Sequence, residues 1–366
     1  MLVHQPTDGG VGRHVRDIAE GLAERGHEIV LCGPTLPAGI AKPLPRVRHI
    51  RLDLGRSIAL RTDLSALRSL IRIVRDVKPD VIHAHSSKAG ALARLARLLQ
   101  PQVPVIYTPH GYAFAGYFSR ERERRVYRIL ERALAPLATR VLCVCEAEAR
   151  LARSIGADSR VRVLHNGIEP PREHHLDARM VDLRQTGPTI CALTQLRPGK
   201  GIETLLDATP SLLKRHPRLQ VAIWGEGSEL EELRVRAARM GVVHAVHFLG
   251  TSEAPFDVLR AAEVFVHPSL AEAFPYVILE AMSVATATIA SDVGGIAEAL
   301  VDGETGILVA PGDSHALASA LSDLLENPAR RAAMGLAAQR RVEELFTRST
   351  MIDGLTAVYG EVLPLT

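Results

Sequence analysis

Short apolar runs of strand type alternate with longer amphipathic stretches along the whole chain. In the first half the runs are 28–34 (EIVLCGP), 80–86 (DVIHAHS), 104–110 (PVIYTPH), 140–146 (RVLCVCE) and a short 161–167 (VRVLHNG). Apolar residues at helical spacing predict helices between them, over 11–26, 62–76, 88–99, 120–135 and 146–155. The second half repeats the pattern. Its strand runs are 189–195, 219–225, 245–250, 263–269 and 287–293, and its helices 201–215, 228–240, 254–261, 276–284, 314–325 and 328–345. Such alternation specifies a parallel sheet covered by helices, and its occurrence twice predicts two doubly wound α/β domains. Asn166-Gly167 is a turn pair, and 169–187, with Pro170-Pro171, lacks a strand pattern. The expected organisation is a domain over 1–168, a linker over 169–187, a second domain over 188–346 and a terminal segment over 347–366.

The 366 residues are enough for two cores, and 47% hydrophobic with 23% charged residues is ordinary for a globular protein. No apolar run reaches the length of a membrane span, and MLVHQPTDGG has neither the basic nor the apolar region of a signal peptide. Cys32, Cys143, Cys145 and Cys191 fit no zinc spacing and sit in apolar stretches. They read as free core thiols of a cytoplasmic protein. Cys143-x-Cys145 lacks the two-residue spacer of a redox pair.

Charge divides the chain more sharply than composition does. Residues 1–168 carry 27 lysines and arginines against 15 acidic side chains; residues 169–366 carry 17 against 26. A basic half suits an anionic membrane surface, a nucleic acid or a phosphate-bearing substrate. A general drift towards arginine explains the excess as well. Segment 119–140 concentrates it, with Arg120, Arg122, Arg124, Arg125, Arg128 and Arg132. Its apolar residues Val126, Ile129, Leu130, Ala133, Leu134 and Leu137 recur at helical spacing. Such a helix can lie on an anionic membrane or pack its apolar stripe on the sheet, and both hold if the arginine face points outward. Nucleic acid is not expected, since no aromatic interleaving and no binding motif accompanies the arginines.

Open α/β sheets bind ligands at the carboxyl ends of their strands. The residues expected there are Asp8-Gly9-Gly10, His85-Ser86, His110-Gly111, Lys200-Gly201, Gly225-Glu226-Gly227, Glu272-Ala273-Phe274 and Gly294-Gly295. They suit a cleft holding a phosphate and polar hydroxyls. TDGGVGRHV (7–15) is not a dinucleotide fingerprint: Val15 stands at the third glycine, and the acid after the second strand is replaced by Gly33-Pro34. His83 and His85 are read as alternating on one strand, with His85 towards the cleft and His83, like His267, packing on a strand face. His174-His175 has no third ligand nearby and reads as solvated linker.

In PSLAEAFPYVILEAM (268–282) Glu272 follows a strand, Pro275 suits a first helical turn, and Glu280 lies on the helix. The eight-residue spacing of the glutamates is uninformative, since Glu20/Glu28 and Glu123/Glu131 share it. The setting is informative: strand, Pro-Ser, Glu, aromatic, Pro and apolar helix, then a strand and VGGIAE. Here the chain resembles the retaining GT-B glycosyltransferases of family 4, whose Glu-Gly-Phe-Pro…Leu-Glu-Ala-Met signature matches EAFPYVILEAM. The resemblance extends through DVGGIAEALVDGETGILVAPGD (292–313), WGEGSELEELR (224–234), FLG (248–250), VLHNGIE (163–169), DVIHAH (80–85) and GGVGRHVRDIAEGLAERGHEI (9–29), essentially the whole chain.

The resemblance implies an α/β GT-B fold, two Rossmann-like domains with parallel sheets facing each other across a cleft. The first domain would bind the acceptor and the second the nucleotide-sugar, and the last helix, about 348–363, would return to the first domain. It implies a retaining hexosyltransferase using a UDP- or GDP-sugar on a saccharide or lipid-linked acceptor, with no cofactor and no metal. His110, Glu272 and Lys200 would form the reaction centre: His110 and Glu272 at the donor sugar, Lys200 at the diphosphate. Gly9, Gly10 and Arg197 would border the diphosphate. Ala273 and Phe274 would offer backbone N–H groups, and Glu280 would hold the ribose diol. Gly225, Gly227 and Leu249 would frame the base, and His85 would line the cleft. No two aspartates stand two apart, so the Asp-x-Asp metal pair of other glycosyltransferases is missing. Two positions depart from the family: Gln195 replaces its arginine, and Ala273 a glycine. A basic first domain places the protein peripherally at the inner face of the membrane. The alternatives are a nucleotide-sugar 2-epimerase of similar fold and a non-catalytic nucleotide-sugar-binding protein.

Overall fold

The computed structural model describes residues 1–40, 44–55, 59–115, 121–170, 173 and 175–363. Arg120, Pro171 and His174 fall outside them. The chain forms two units, Met1–Asn166 with Arg348–Thr366, and Gly167–Thr347.

In the first unit strands and helices alternate as β1 (Leu2–His4), α1 (Gly9–Glu24), β2 (Ile29–Gly33), β3 (Val47–Arg51), α2 (Leu60–Val77), β4 (Ile82–His85), α3 (Ser87–Ala96), β5 (Val105–Thr108), α4 (Glu121–Leu134), β6 (Arg140–Cys143), α5 (Glu146–Ser154) and β7 (Val161–Val163). The strands form one parallel sheet in the order β3-β2-β1-β4-β5-β6-β7. Its central strands are covered on both faces, so they read as continuous apolar runs. On one face Val3, Cys32, Ala84 and Val105 pack with Leu70 and Val74 of α2; on the other Leu2, Leu31 and Ile106 pack with Val15, Ile18 and Leu22 of α1.

Helix α4 departs from this scheme. Val126, Ile129 and Leu130 are exposed, and the only buried residue of the helix is Glu131. The apolar stripe therefore does not pack on the sheet. A buried charge anchors the helix instead: Arg94 Nη2 donates to Glu131 Oε2 at 2.9 Å and Tyr107 Oη donates to Oε1 at 2.9 Å. The Arg94 guanidinium lies 4.0 Å over the Tyr107 ring, and its Nε donates to the Gly90 carbonyl. Among the described residues no helix is long and apolar enough to cross a membrane.

The second unit runs α6 (Ala178–Thr186), β8 (Thr189–Leu193), α7 (Ile202–Arg215), β9 (Gln220–Trp224), α8 (Leu230–Arg239), β10 (Val246–Phe248), α9 (Pro255–Ala261), β11 (Val264–His267), α10 (Tyr276–Ser283), β12 (Thr288–Ser291), α11 (Ile296–Ala299), β13 (Ile307–Val309), α12 (Ser314–Glu326) and α13 (Pro328–Leu345). Its parallel sheet has the order β10-β9-β8-β11-β12-β13. Helix α6 corrects the reading of 169–187 as linker. Asp177 caps it by accepting from the Met180 N–H, and Met180 is buried with its Sδ accepting from Trp224 Nε1 at 3.4 Å.

The last helix, α14 (Arg348–Gly360), belongs to the first unit. Its Met351, Ile352, Leu355 and Val358 complete the core with Val15, Ile18 and Leu22, and Arg348 pairs with Glu24. Ile352 lies where a Cβ at Gly21 would stand, so α1 and α14 meet across a glycine. All four cysteines are free and buried.

Candidate active site

A doubly wound sheet opens a crevice where its strand order reverses, outside the carboxyl ends of the strands. In the second unit that point lies between β8 and β11. Lys200 ends the loop after β8 and Glu272 lies on the loop after β11, and the two meet there. Lys200 Nζ donates to Glu272 Oε1 at 2.6 Å, Ser269 Oγ donates to the same oxygen at 2.8 Å, and His267 Nε2 lies 3.1 Å from it. Burial alone would raise the Glu272 carboxyl, but the His267 hydrogen bond and the Lys200 charge outweigh it and hold the group well below the usual carboxylate range. His267 is thus a partner of Glu272 and not only the packing residue expected from its place on a strand.

The two loops approach so closely that glycine is required beside them. Gly201 has φ +69° and its missing Cβ would collide with the Pro268 carbonyl; Gly294 has φ +58° and its Cβ would collide with that of Glu272. The Gly295 N–H donates to the Ala273 carbonyl at 2.7 Å. The Phe274 ring is buried 5.5 Å from that of Phe346, so only its backbone can meet a ligand. Glu280 is 5% exposed on α10, with Pro275 just before the first turn. Arg197 Nε donates to Gln195 Oε1 at 3.1 Å, so the residue replacing the family's arginine holds the neighbouring one. Gly225 follows β9, its N–H donating to the Gly250 carbonyl, and Gly227 stands against the Leu196 backbone. Leu249 follows β10, and its carbonyl accepts from Arg179.

The first unit has its own reversal point, between β1 and β4, and histidines gather there. His4 and His85 are register partners at the strand ends, His110 follows β5 with φ +56°, and His14 comes from α1. His85 Nδ1 lies 3.1 Å from His110 Nε2, and the His14 ring stands edge-on to that of His110 at 4.6 Å. Burial pushes His4 and His14 down to about 4 and His83, His85 and His110 well below the usual imidazole value. The reading that only one of His83 and His85 can face the crevice side is corrected: residues two apart share a strand face, and the rings are 4.1 Å apart. His83 is occupied, its Nδ1 with Tyr359 Oη at 2.9 Å and its Nε2 with Thr108 Oγ1 at 2.8 Å. Gly9 and Gly10 form the exposed first turn of α1.

Glu148 escaped the sequence reading. From α5 it accepts the Val144 N–H at 2.9 Å and the Gly111 N–H, which fastens the turn bearing His110. Burial raises its carboxyl to about 7. Its only sequence signal is an acid in a first helical turn directly after a strand.

The description "Glycosyltransferase Family 4" matches residues 8–172, and "Glycosyl transferases group 1" matches 177–341. A phosphatidyl-myo-inositol mannosyltransferase of Mycobacterium leprae is 31% identical over 92% of this chain and 89% of its own. The chain belongs to glycosyltransferase family 4. A glycogen synthase of Mycobacterium tuberculosis is 27% identical, over 96% of this chain and 91% of that protein. Among solved structures, sucrose-phosphate synthase from Thermosynechococcus elongatus superposes with a TM-score of 0.83 at 23% identity, covering 99% of this chain and 98% of that one. The two doubly wound units thus carry the GT-B fold. In this family 4 chain, of the three residues assigned to the reaction centre, the structure brings Lys200 and Glu272 into contact; His110 stands in the histidine group of the first unit.

Proposed function

We propose that this glycosyltransferase moves a hexose from a UDP- or GDP-sugar to a saccharide or lipid-linked acceptor with retention of configuration. The observation that carries the reading is the meeting of Lys200 and Glu272 at the reversal point of the second sheet. Cleaving a glycosyl–phosphate bond leaves charge on the departing diphosphate, and a fixed ammonium group there stabilises that charge as it develops. Glu272, kept ionised by Lys200 and His267, offers an acceptor for sugar hydroxyls. His110 is read as acting at the donor sugar, with Glu148 positioning its turn. The named relatives act on a phosphoinositide lipid and on a polysaccharide, which supports either acceptor class.

The purified chain, incubated with a panel of UDP- and GDP-sugars and candidate acceptors, should release nucleoside diphosphate from one donor. Nuclear magnetic resonance of the product should show the donor's anomeric configuration. Binding without release from any donor would favour the non-catalytic reading, and an inverted product would sink the retaining mechanism.

Glu280→Gln should weaken binding of the nucleoside diphosphate by about 1.5–3 kcal/mol, the worth of a hydrogen bond to a charged group. Calorimetric titration of the folded variant checks this; unchanged affinity would remove Glu280 from the ribose site. We also read the transfer as metal-independent, because the chain has no Asp-x-Asp pair and Lys200 with Arg197 supplies positive charge. Turnover should persist in excess EDTA. Abolition by EDTA and restoration by manganese would refute it.

Exposed Val126, Ile129 and Leu130 on the arginine-rich α4 fit an anionic lipid surface. We read the protein as cytoplasmic and peripheral on the inner face of a membrane through this helix. It should sediment with vesicles containing phosphatidylglycerol and not with neutral ones. Val126→Ser with Ile129→Ser should abolish the difference; retention by this variant would assign the contact elsewhere.

A further inference from the structure

We propose that the first unit binds a divalent transition-metal ion through His14, His85 and His110. One comes from α1, one ends β4 and one follows β5, so three separate elements deliver the rings to one point. One nitrogen of each lies within 4.8 Å of the others. Nitrogens held at about 2.0–2.1 Å around a tetrahedral ion stand about 3.3 Å apart, with ring centres about 5 Å apart. Here His85 Nδ1 and His110 Nε2 are separated by 3.1 Å, and the ring centres by 4.6, 5.3 and 5.5 Å. The widest nitrogen gap, within 4.8 Å, has to close by at most about 1.5 Å.

The surroundings suit the ion. Metal ligation uses neutral imidazole nitrogens, and His14 and His85 offer theirs from buried rings. Three nitrogens without a carboxylate favour zinc, cobalt, nickel or copper over magnesium, calcium or manganese. His83 is excluded as a ligand, since both its nitrogens are engaged by Tyr359 and Thr108. His85 Nε2 has no hydrogen-bond partner among the described residues. No hydrogen bond at Nε2 fixes the tautomer, so the proton shared with His110 can move to Nε2 and leave Nδ1 bare for the ion. His110 is half-buried, so the group is not sealed from solvent.

An ion held there immobilises His110. It is therefore an inhibitor of the proposed transfer, and a chelator relieves the inhibition, the opposite sign to that of a catalytic metal. Binding itself is read without any sugar donor, so it stands or falls apart from the proposed activity. Cobalt(II) titrated into the purified full-length chain should give the visible absorption of a tetrahedral nitrogen site at one ion per chain, and zinc should displace it. His14→Ala and His110→Ala, each shown folded by circular dichroism, should bind cobalt at least about tenfold more weakly. His315→Ala, at an exposed histidine of α12, should bind as the parent does. Should His14→Ala fail to fold, His110→Ala decides, since His110 lies in a turn outside the strands. Absence of the band at millimolar cobalt, or wild-type affinity in either folded variant, would overturn the site.

Discussion

Lys200→Ala is expected to lower kcat by about a hundredfold to a thousandfold, roughly 3–4 kcal/mol of lost transition-state stabilisation. The effect has two sources. The ammonium group is the positive charge closest in the fold to Glu272, and the departing diphosphate loses its counter-charge. In addition Glu272, 10% exposed at its side chain, loses its ion pair and keeps His267 and Ser269 as partners. Rates at saturating and limiting donor separate chemistry from binding. A fall in kcat and kcat/KM together marks an interaction made in the transition state, whereas a rise in KM alone marks ground-state binding. A folded Lys200→Ala variant with parental rates would remove the diphosphate site from this loop, and Arg197 with it.

Glu131→Ala is expected to cost about 3–5 kcal/mol, because it strands a buried guanidinium. The Arg94 side chain is 1% exposed and that of Glu131 4%. Tyr107 Oη loses its acceptor in the same substitution. At roughly 2–4 °C per kcal/mol for a unit of this size, its unfolding transition should fall by about 10 °C. The double variant Arg94→Leu with Glu131→Leu should recover most of the loss, since a buried pair replaced by apolar side chains is often neutral. Calorimetry of the three proteins checks both statements. A Glu131→Ala transition at the parental temperature would show that water already reaches the pair.

Central strands were legible because burial on both faces turns them into unbroken apolar runs, as in 28–34 and 189–195. The elements that escaped lack that feature. β13 has three residues of which only Val309 is buried, and the edge strand β3 (VRHIR) sets two apolar residues among two arginines and a histidine. Helix α6 hides among polar residues behind a proline pair because it buries little beyond Met180. In α4 the helical spacing of apolar residues was read correctly as a helix, but spacing does not say whether the stripe is covered. Glu131, which resembles a solvated charge in the sequence, is the residue that holds it.

The candidate site was legible where a motif spans a loop and a helix, as in 268–282, and in the single lysine before Gly201. Contacts across the sheet were not. Nothing in the order of residues announces that His267 and Ser269 share an oxygen of Glu272 with Lys200. Nor does it place His14 beside His110, since α1 and β5 are brought together by sheet order rather than by proximity in sequence. The error at His83 and His85 was one of period: strand faces repeat every second residue.

The return of α14 to the first unit makes the second unit an insertion in the topological sense. Chain enters it at Gly167 and leaves it at Thr347, and these ends lie side by side, with Ile168 and Thr347 bridged and the Ile168 N–H donating to the Phe346 carbonyl. A cut at the midpoint of the sequence would therefore not yield two halves: residues 1–166 alone would lack Met351, Ile352, Leu355 and Val358 and bare the apolar side of α1. Excision of 167–347 with a short splice, by contrast, keeps Met351, Ile352, Leu355 and Val358 in the same chain as α1. That also defines how the gene would have to be edited to exchange the second unit for another: as a cassette, with two junctions.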